Sequence, residues 1–517
     1  MRAGKLLVGI DIGTSGIRAA LIDSEARLLA SAERPTPWTH GEKGLVSLDP
    51  LRLWDETCAV LREVARPGIA GPGIAGVAAA SVGESAVLID QAGEPVAPAI
   101  AWFDERSAGE MEGLVARYGA PALYAASGLP PDPTYQLNKL LWMRAHEPGF
   151  GRAVRALNLA DWIAFRLSGE MATDFSLASR TLALDLRQGR WNEALLKAEG
   201  FSQLPAPLAR SGTRIGGVSA EAAAETGLAE GAAVGVGAHD HIAGALAAGT
   251  IAPGIVLDSL GTAEVLMRTL SRPITDQAAL AGGFAQGAIG IAPGDHFHYV
   301  LGAMPCSGGA VEWFRSATGG APHAALIEEG RAVAAGAGGV VFVPHLRPAL
   351  APEPDPVARG AFLGLTPEAS RGTLYRAVLE GLAHQSRLIL EAMERLPGVG
   401  PAGEIRLIGG GARNPLFLAI KADVIGRPLA VMGGHEDQGL GAAQDAKVGA
   451  EVGAAVGAAL LGGIAAGVWP DIAAAAARTA VPERRLAPGP DAAAYGARHS
   501  AFARLHRALA SVYRLTA

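Results

Sequence analysis

The sequence predicts an α/β chain of two similar domains that face a shared cleft, and three observations carry that reading. At 517 residues the chain exceeds what a single hydrophobic core ordinarily supports. A short apolar run at residues 6–10 enters the turn Asp11-Ile12-Gly13-Thr14-Ser15-Gly16 and leaves as a second strand-like run at 17–23, which reads as strand, turn, strand. Half a chain later residues 255–266 repeat the order of strand, acid (Asp258), Gly261-Thr262 and strand.

The composition narrows the function. Half of the residues are apolar and 18% are charged, which suits buried cores and not a disordered chain. With 44 Lys+Arg against 50 Asp+Glu the net charge is −6, so no global positive field favours nucleic acid or an anionic membrane. A small-molecule partner is expected. Cys58 and Cys306 form no metal or redox spacing, as expected of a reducing compartment, and the cytoplasm is the expected location. The apolar run at 6–10 is too short for a secretory signal. The longest uncharged run, 452–470, is rich in Ala and Gly; it reads as a helix packed closely against another backbone through Gly453 and Gly457 rather than as a membrane span.

The first hairpin sets the chemistry. No Gly-Lys-Ser/Thr occurs, and the two Gly-x-Gly-x-x-Gly matches, at 71–76 and 398–403, each contain a proline and lead into strand-like runs. The P-loop and the dinucleotide fingerprint are therefore unlikely contexts. What remains is a turn in which Gly13, Thr14 and Ser15 direct amides and hydroxyls at an anion, with Asp11 able to hold Mg2+ through water and Arg18 within reach of phosphates. Gly261 and Thr262 form the second such turn. A third element follows the strand at 404–408: Gly409-Gly410-Gly411-Ala412-Arg413-Asn414-Pro415 opens a helical stretch at 416–425. Gly410 and Gly411 let a flat ring lie against bare backbone because no Cβ intrudes.

These motifs, taken in order, resemble the FGGY family of carbohydrate kinases, which contains xylulokinases and glycerol kinases. The resemblance covers Val8-Gly9-Ile10-Asp11-Ile12-Gly13-Thr14-Ser15, Ala101-Trp102-Phe103-Asp104-Glu105-Arg106, residues 167–179, Gly237-Ala238-His239-Asp240-His241, Ser259-Leu260-Gly261-Thr262 and residues 409–415. It implies two domains of the actin/hexokinase (ribonuclease H-like) type, with ATP and Mg2+ between them and phosphoryl transfer to a sugar or polyol hydroxyl. By that resemblance Asp240, between a strand-like run at 234–238 and a helical stretch at 242–248, is the catalytic base; a helix-capping role is the alternative. Gly13, Thr14, Ser15, Arg18, Gly261, Thr262, Gly410, Gly411 and Asn414 would hold the nucleotide.

The acceptor side departs from the family pattern. Xylulokinases typically carry Met-His-Gly where this chain has Val82-Gly83-Glu84-Ser85, and glycerol kinases carry an Arg-Glu pair there. Glu84 aligns with that glutamate while Gly83 replaces the arginine. A carboxylate suits vicinal hydroxyls, so Glu84, Asp104, Trp102 and His241 are the expected substrate contacts, although Asp104 and Arg106 have a mutual ion pair as their alternative. A pentulose such as xylulose is the first substrate expected, a shorter polyol or ketotetrose the second. A non-catalytic nucleotide-binding regulator is disfavoured, because a pure binder needs no base. Residues 1–248 are expected to carry the sugar site and residues 249–517 the nucleotide site, with a homodimer left open. A late Gly-Ala-Ala at 441–443 and a second at 457–459 leave open which of them closes over the nucleotide.

Overall fold

The computed structural model describes residues 5–66, 73–274, 276–292, 295–432, 453–479 and 481–516. In the first sheet β1 (Leu6–Ile12) pairs antiparallel with β2 (Gly16–Ile22), and β2 with β3 (Leu28–Pro35). On its other side β1 runs parallel to β4 (Ile74–Ser81); β5 (Arg214–Gly217) forms the far edge, and β6 (Ala233–His239) lies parallel beside β4. The second sheet repeats the plan. The hairpin of β7 (Ile255–Leu260) and β8 (Glu264–Leu270) is flanked by β9 (Ala285–Ala292) and β10 (Asp295–Met304). On the other side β7 runs parallel to β11 (Glu404–Ile408), followed by β12 (Leu429–Met432) and β13 (Pro482–Leu486). The repeated hairpin expected from Gly13-Thr14 and Gly261-Thr262 is thus a repeated sheet, hairpin first and parallel partner second.

Each central strand is buried on both faces because helices cover both. Val8, Ile10 and Ile12 of β1 enter one core with α1 (Pro50–Ala65) and α2 (Leu159–Ser168), while Leu7 enters another. That second core contains α3 (Asp240–Ala247), residues of both sheets and a helix from far along the chain. The second half adds α4 (Arg371–Glu394) and α5 (Pro415–Ile425), and the late helix is α6 (Gly453–Ala465).

The Gly/Ala composition of α6 follows from where it lies. A Cβ at Gly9 on β1 would stand 1.8 Å from Ala455 O, one at Gly76 on β4 2.2 Å from Gly462 O, and one at Gly457 1.9 Å from Ala243 O on α3. Backbone rests on backbone, so no side chain fits at these positions. Gly457 makes the close approach expected of it; at Gly453 an added Cβ would meet nothing within 4 Å. The late Gly-Ala-Ala at 441–443, together with 436–440, lies outside the described residues. Among the described residues no helix is long and apolar enough to cross a membrane.

Replacing Gly457 by Ala should therefore overpack the α3–α6 contact and cost about 1–3 kcal/mol. Urea unfolding tests this, and an unchanged midpoint would count against the close-packed account.

Candidate active site

Three neighbouring parallel strands, β1, β4 and β6, end on one edge of the first sheet, the position where α/β folds place ligands. Asp11 lies near the end of β1, Glu84 three residues past β4, and Asp240 directly after β6.

Asp11 sits opposite Arg18 in the hairpin register, with Oδ2 3.7 Å from Arg18 Nη1. Its other oxygen, Oδ1, is buried and has no hydrogen-bond partner. Burial, and then the charge of Asp240, push the Asp11 carboxyl up to about 7. Arg18 also donates to Glu33 Oε1 at 2.8 Å and lies 3.4 Å from Ser15 Oγ. The turn is closed by Gly13 N donating to Gly16 O at 2.9 Å, which leaves Thr14 and Ser15 exposed at its tip. Two indoles hold that tip: Trp38 Nε1 donates to Thr14 O at 2.7 Å and Trp102 Nε1 to Thr14 Oγ1 at 2.8 Å. Trp102 is thereby placed against the phosphate hairpin.

Asp240 is the first residue of α3, and His239 occupies the cap position without a side-chain cap bond. Oδ1 of Asp240 accepts from the adjacent His241 amide at 2.6 Å, which is not the bond to the second or third amide that defines a helix cap. Burial raises its carboxyl to about 7, with Glu84 adding to the shift and Arg180 opposing it. His239 Nε2 and His241 Nδ1 stand 3.4 and 3.7 Å from Oδ1. Burial keeps both imidazoles neutral, His239 well below its ordinary range and His241 down at about 4. They flank the aspartate as neutral polar groups and add no positive charge. The end of β6 is clamped by the family-like segment: Ser176 Oγ accepts from His239 N at 2.9 Å and donates to Asp174 Oδ2 at 2.7 Å.

Glu84 is nearly buried and has a φ of 63°, a left-handed conformation that a non-glycine residue adopts at a cost. Its Oε1 accepts from Arg180 Nε and pairs with Nη2, both at 2.6 Å. Asp104 departs from the expectation of a hydroxyl acceptor. Its Oδ1 accepts from the Arg106 amide and Nε, both at 2.9 Å, and its Oδ2 from Val46 N and Arg106 Nη2, both at 2.6 Å. Four donors fill a carboxylate's four lone-pair sites. Burial opposes the charge, yet the Arg106 bonds hold this carboxyl below the usual range. Asp104 instead braces the loop that carries Trp102, whose carbonyl also accepts from the buried Lys139 Nζ at 3.0 Å.

The second hairpin presents Gly261 and Thr262 to solvent while their carbonyls accept from Ser307, Gly308 and Gly309 N at 2.8, 3.1 and 3.0 Å. Beneath it lies a network that the sequence did not disclose. Lys421 of α5, fully buried, sits 2.7 Å from Asp258 Oδ2 and 2.6 Å from Glu264 Oε1, and Ser307 Oγ donates to Glu264 Oε2 at 3.0 Å. Gly409 has a φ of 95°, and Gly410 and Gly411 begin the turn Gly410–Arg413, where a Cβ at Gly411 would stand 2.9 Å from Leu260 Cβ of β7. Asn414 caps α5, its Oδ1 accepting from Leu416 N and Phe417 N at 3.1 Å and its Nδ2 donating to Tyr375 Oη at 3.0 Å. Its side chain is spent on holding the glycine loop.

Burial raises Asp258, and Lys421 opposes that rise. Replacing Lys421 by Met should cost about 3–5 kcal/mol near pH 8, because it leaves two buried carboxylates facing each other. Without the lysine that opposes it, the rise of Asp258 goes further, so this carboxyl takes up a proton as the pH falls and the deficit should shrink toward pH 5. Denaturant midpoints of both proteins across that range check it, and a deficit independent of pH would contradict it.

Arg180 was passed over because it stands one residue beyond the recognisable 167–179 segment, and Lys421 because a lysine in an apolar helix carries no spacing signal. The comparisons agree with the geometry. Residues 6–247 match the N-terminal domain of the FGGY family of carbohydrate kinases and residues 257–450 its C-terminal domain. The chain is 34% identical over 456 residues to a glycerol kinase of Citrifermentans bemidjiense, covering 86% of this chain and 90% of that one. Its structure resembles that of a xylulose kinase from Rhodospirillum rubrum, with a TM-score of 0.85 at 29% identity, covering 99% and 100% of the two chains. Plasmodium falciparum glycerol kinase with ADP shares the fold, with a TM-score of 0.85 at 18% identity over 97% of each chain. With both of its domains matched and both sheets built on the same hairpin plan, the chain belongs to the FGGY family of carbohydrate kinases, and it is a two-domain sugar kinase.

Proposed function

We propose that this kinase transfers the γ-phosphoryl group of ATP to a hydroxyl of a neutral polyol or ketose between glycerol and a pentulose in size, with Asp240 taking the hydroxyl proton. The observation that carries the reading is Asp240 itself. Its carboxyl is raised to about 7 by burial, its side chain is 21% exposed, and among the described residues Oδ2 accepts no hydrogen bond. A base works best with a pKa near the operating pH. Phosphoryl transfer otherwise demands alignment and charge neutralisation.

The donor side is divided between the halves. Gly13, Thr14, Ser15 and Arg18 in residues 1–248, with Gly261 and Thr262 in residues 249–517, hold the phosphates from two sides. Gly410 and Gly411 back the adenosine, and Asn414 keeps their loop in place. The unpartnered buried Oδ1 of Asp11 suits a hard cation with oxygen ligands, so Asp11 is the residue for Mg2+, held through water. A magnesium ion there neutralises charge on the transferring phosphates. Trp102, fixed by its bond to Thr14, closes the acceptor side next to the hairpin, and His241 offers a neutral imidazole beside the base.

Both substrate expectations retain support. The similarity to enzymes named glycerol kinase and the carboxylate at Glu84 favour a short polyol, while the structural likeness to xylulose kinases favours a pentulose. Glu84 and Asp240 together disfavour an acidic sugar.

The test is ADP release from magnesium ATP against glycerol, erythritol, tetruloses, pentuloses and hexuloses. One member of the glycerol-to-pentulose range should turn over, and Asp240→Asn should lower kcat by about 10²–10⁴ while nucleotide affinity is kept. Turnover that survives Asp240→Asn would refute the assignment of the base. Since the base must be ionised, kcat/KM should also fall about tenfold per unit below pH 7; a rate flat down to pH 5 would contradict it.

A further inference from the structure

Gly83 is where this chain leaves the pattern of its relatives, and the structure shows what fills the space. A Cβ at position 83 would stand 2.8 Å from Arg180 Cγ and 3.1 Å from His239 Cδ2. The stem of Arg180 therefore occupies the volume that any side chain at 83 would need. Its guanidinium is held in two further ways: Nε and Nη2 lie 2.6 Å from Glu84 Oε1, and its carbon lies 5.2 Å from the centroid of the Tyr135 ring, over its face.

One atom of this arrangement is left over. Arg180 Nη1 is buried and has no hydrogen-bond partner. The hydroxyl of Tyr299, on β10 of the other sheet, is also buried without a partner. Burial carries this phenol up to about 12 even though the Arg180 guanidinium lies close enough to pull it down by charge and by a hydrogen-bonding approach; by strict geometry neither Nη1 nor Oη has a partner. The absence of a side chain at Gly287, on the adjacent strand β9, makes room for the phenol: a Cβ there would stand 2.2 Å from Tyr299 Oη. Buried polar groups in native proteins are nearly always satisfied. Two unsatisfied ones, a donor and a donor-acceptor, lie in the same electrostatic neighbourhood as Glu84 and Asp240.

We propose that Arg180 Nη1 and Tyr299 Oη bind the acceptor oxygen next to the one that is phosphorylated, a carbonyl of a ketose or a hydroxyl of a polyol. Arg180 donates to it, Tyr299 completes its hydrogen bonding, and Glu84 accepts from the neighbouring hydroxyl. The charge of Arg180 is already matched by Glu84, so the seat suits a neutral oxygen rather than a carboxylate. The side chain of Arg180 thus works through space freed at position 83, and Tyr299 brings the second sheet into contact with the acceptor. This inference rests on reading the chain as a polyol or ketose kinase.

Two variants test it in the ADP-release assay with the best acceptor of the panel. Tyr299→Phe removes one oxygen and keeps the ring, so folding is preserved. Its acceptor KM should rise about tenfold, the worth of a neutral hydrogen bond, with the KM for magnesium ATP unchanged. Arg180→Lys keeps the charge but not the planar fork, and should lower kcat/KM for the acceptor about a hundredfold, again with the nucleotide KM unmoved. An active wild type whose acceptor KM is the same in Tyr299→Phe would overturn this inference and leave the kinase reading standing. A wild type that releases no ADP with any polyol or ketose would overturn both. If Arg180→Lys fails to fold, the Tyr299→Phe result decides alone.

Discussion

Three carboxylates gathered at one sheet edge, Asp11 and Glu84 buried and Asp240 half-buried, set the terms for everything around them. Asp240 lies in the field of Glu84 and Asp11 in that of Asp240, and Asp11 and Asp240 are both raised to about 7 by burial and by these acidic neighbours. Burying like charges together is costly unless cations or protons offset them. Arg18 reaches Asp11 and Arg180 reaches Glu84, but among the described residues Asp240 has only a backbone amide and the two neutral imidazoles of His239 and His241 beside it, and no cation. That residual imbalance is the property a general base needs. On the proposed mechanism it would also give a magnesium ion and a hydroxyl proton somewhere to go, which would locate the destabilisation where the chemistry uses it.

The fold supplies the positions. Because β1, β4 and β6 are adjacent and parallel, their carboxyl ends lie on one edge, and three residues far apart in sequence converge there. Asp240 is steadied from a distance as well. Asp240 opens α3, α3 rests on α6 through Ala243 and Gly457, and α6 rests on β1 and β4 through Gly9 and Gly76. A helix from late in the chain thus packs beneath the edge of the first sheet that carries Asp11, Glu84 and Asp240. The small residues of that helix are a requirement of contact distance, since no ordinary side chain fits between backbones so close.

Much of this was legible in the sequence where chemistry is local. The two Gly-Thr hairpins, the strand before the glycine loop and Asp240 between strand and helix all stand at the predicted places, because apolar runs and glycine turns are short-range signals. The fold class was legible for the same reason: the hairpin repeats. What escaped were partnerships formed across the fold. Asp104 reads as a hydroxyl acceptor with a pair to Arg106 as its alternative; the structure shows that pair and adds a bond that the motif could not announce, from Val46 N on a distant short strand, Val46–Leu48. The stem of Arg180 fills the space beside Gly83, and no spacing rule links the two positions. Lys421 answers two carboxylates on a different hairpin, Asp258 and Glu264, and inside an apolar helix it looks like an accident.

The central claim is that Asp240 titrates near neutrality in the free enzyme. Infrared difference spectroscopy over pH 4–9, wild type minus Asp240→Asn, isolates the carbonyl stretch of this one protonated carboxyl. The account predicts that the band disappears with a midpoint near 7, where burial and the charge of Glu84 place the group. A midpoint near the ordinary carboxylate value of about 4 would contradict it, and with it the assignment of Asp240 as a base tuned by its burial.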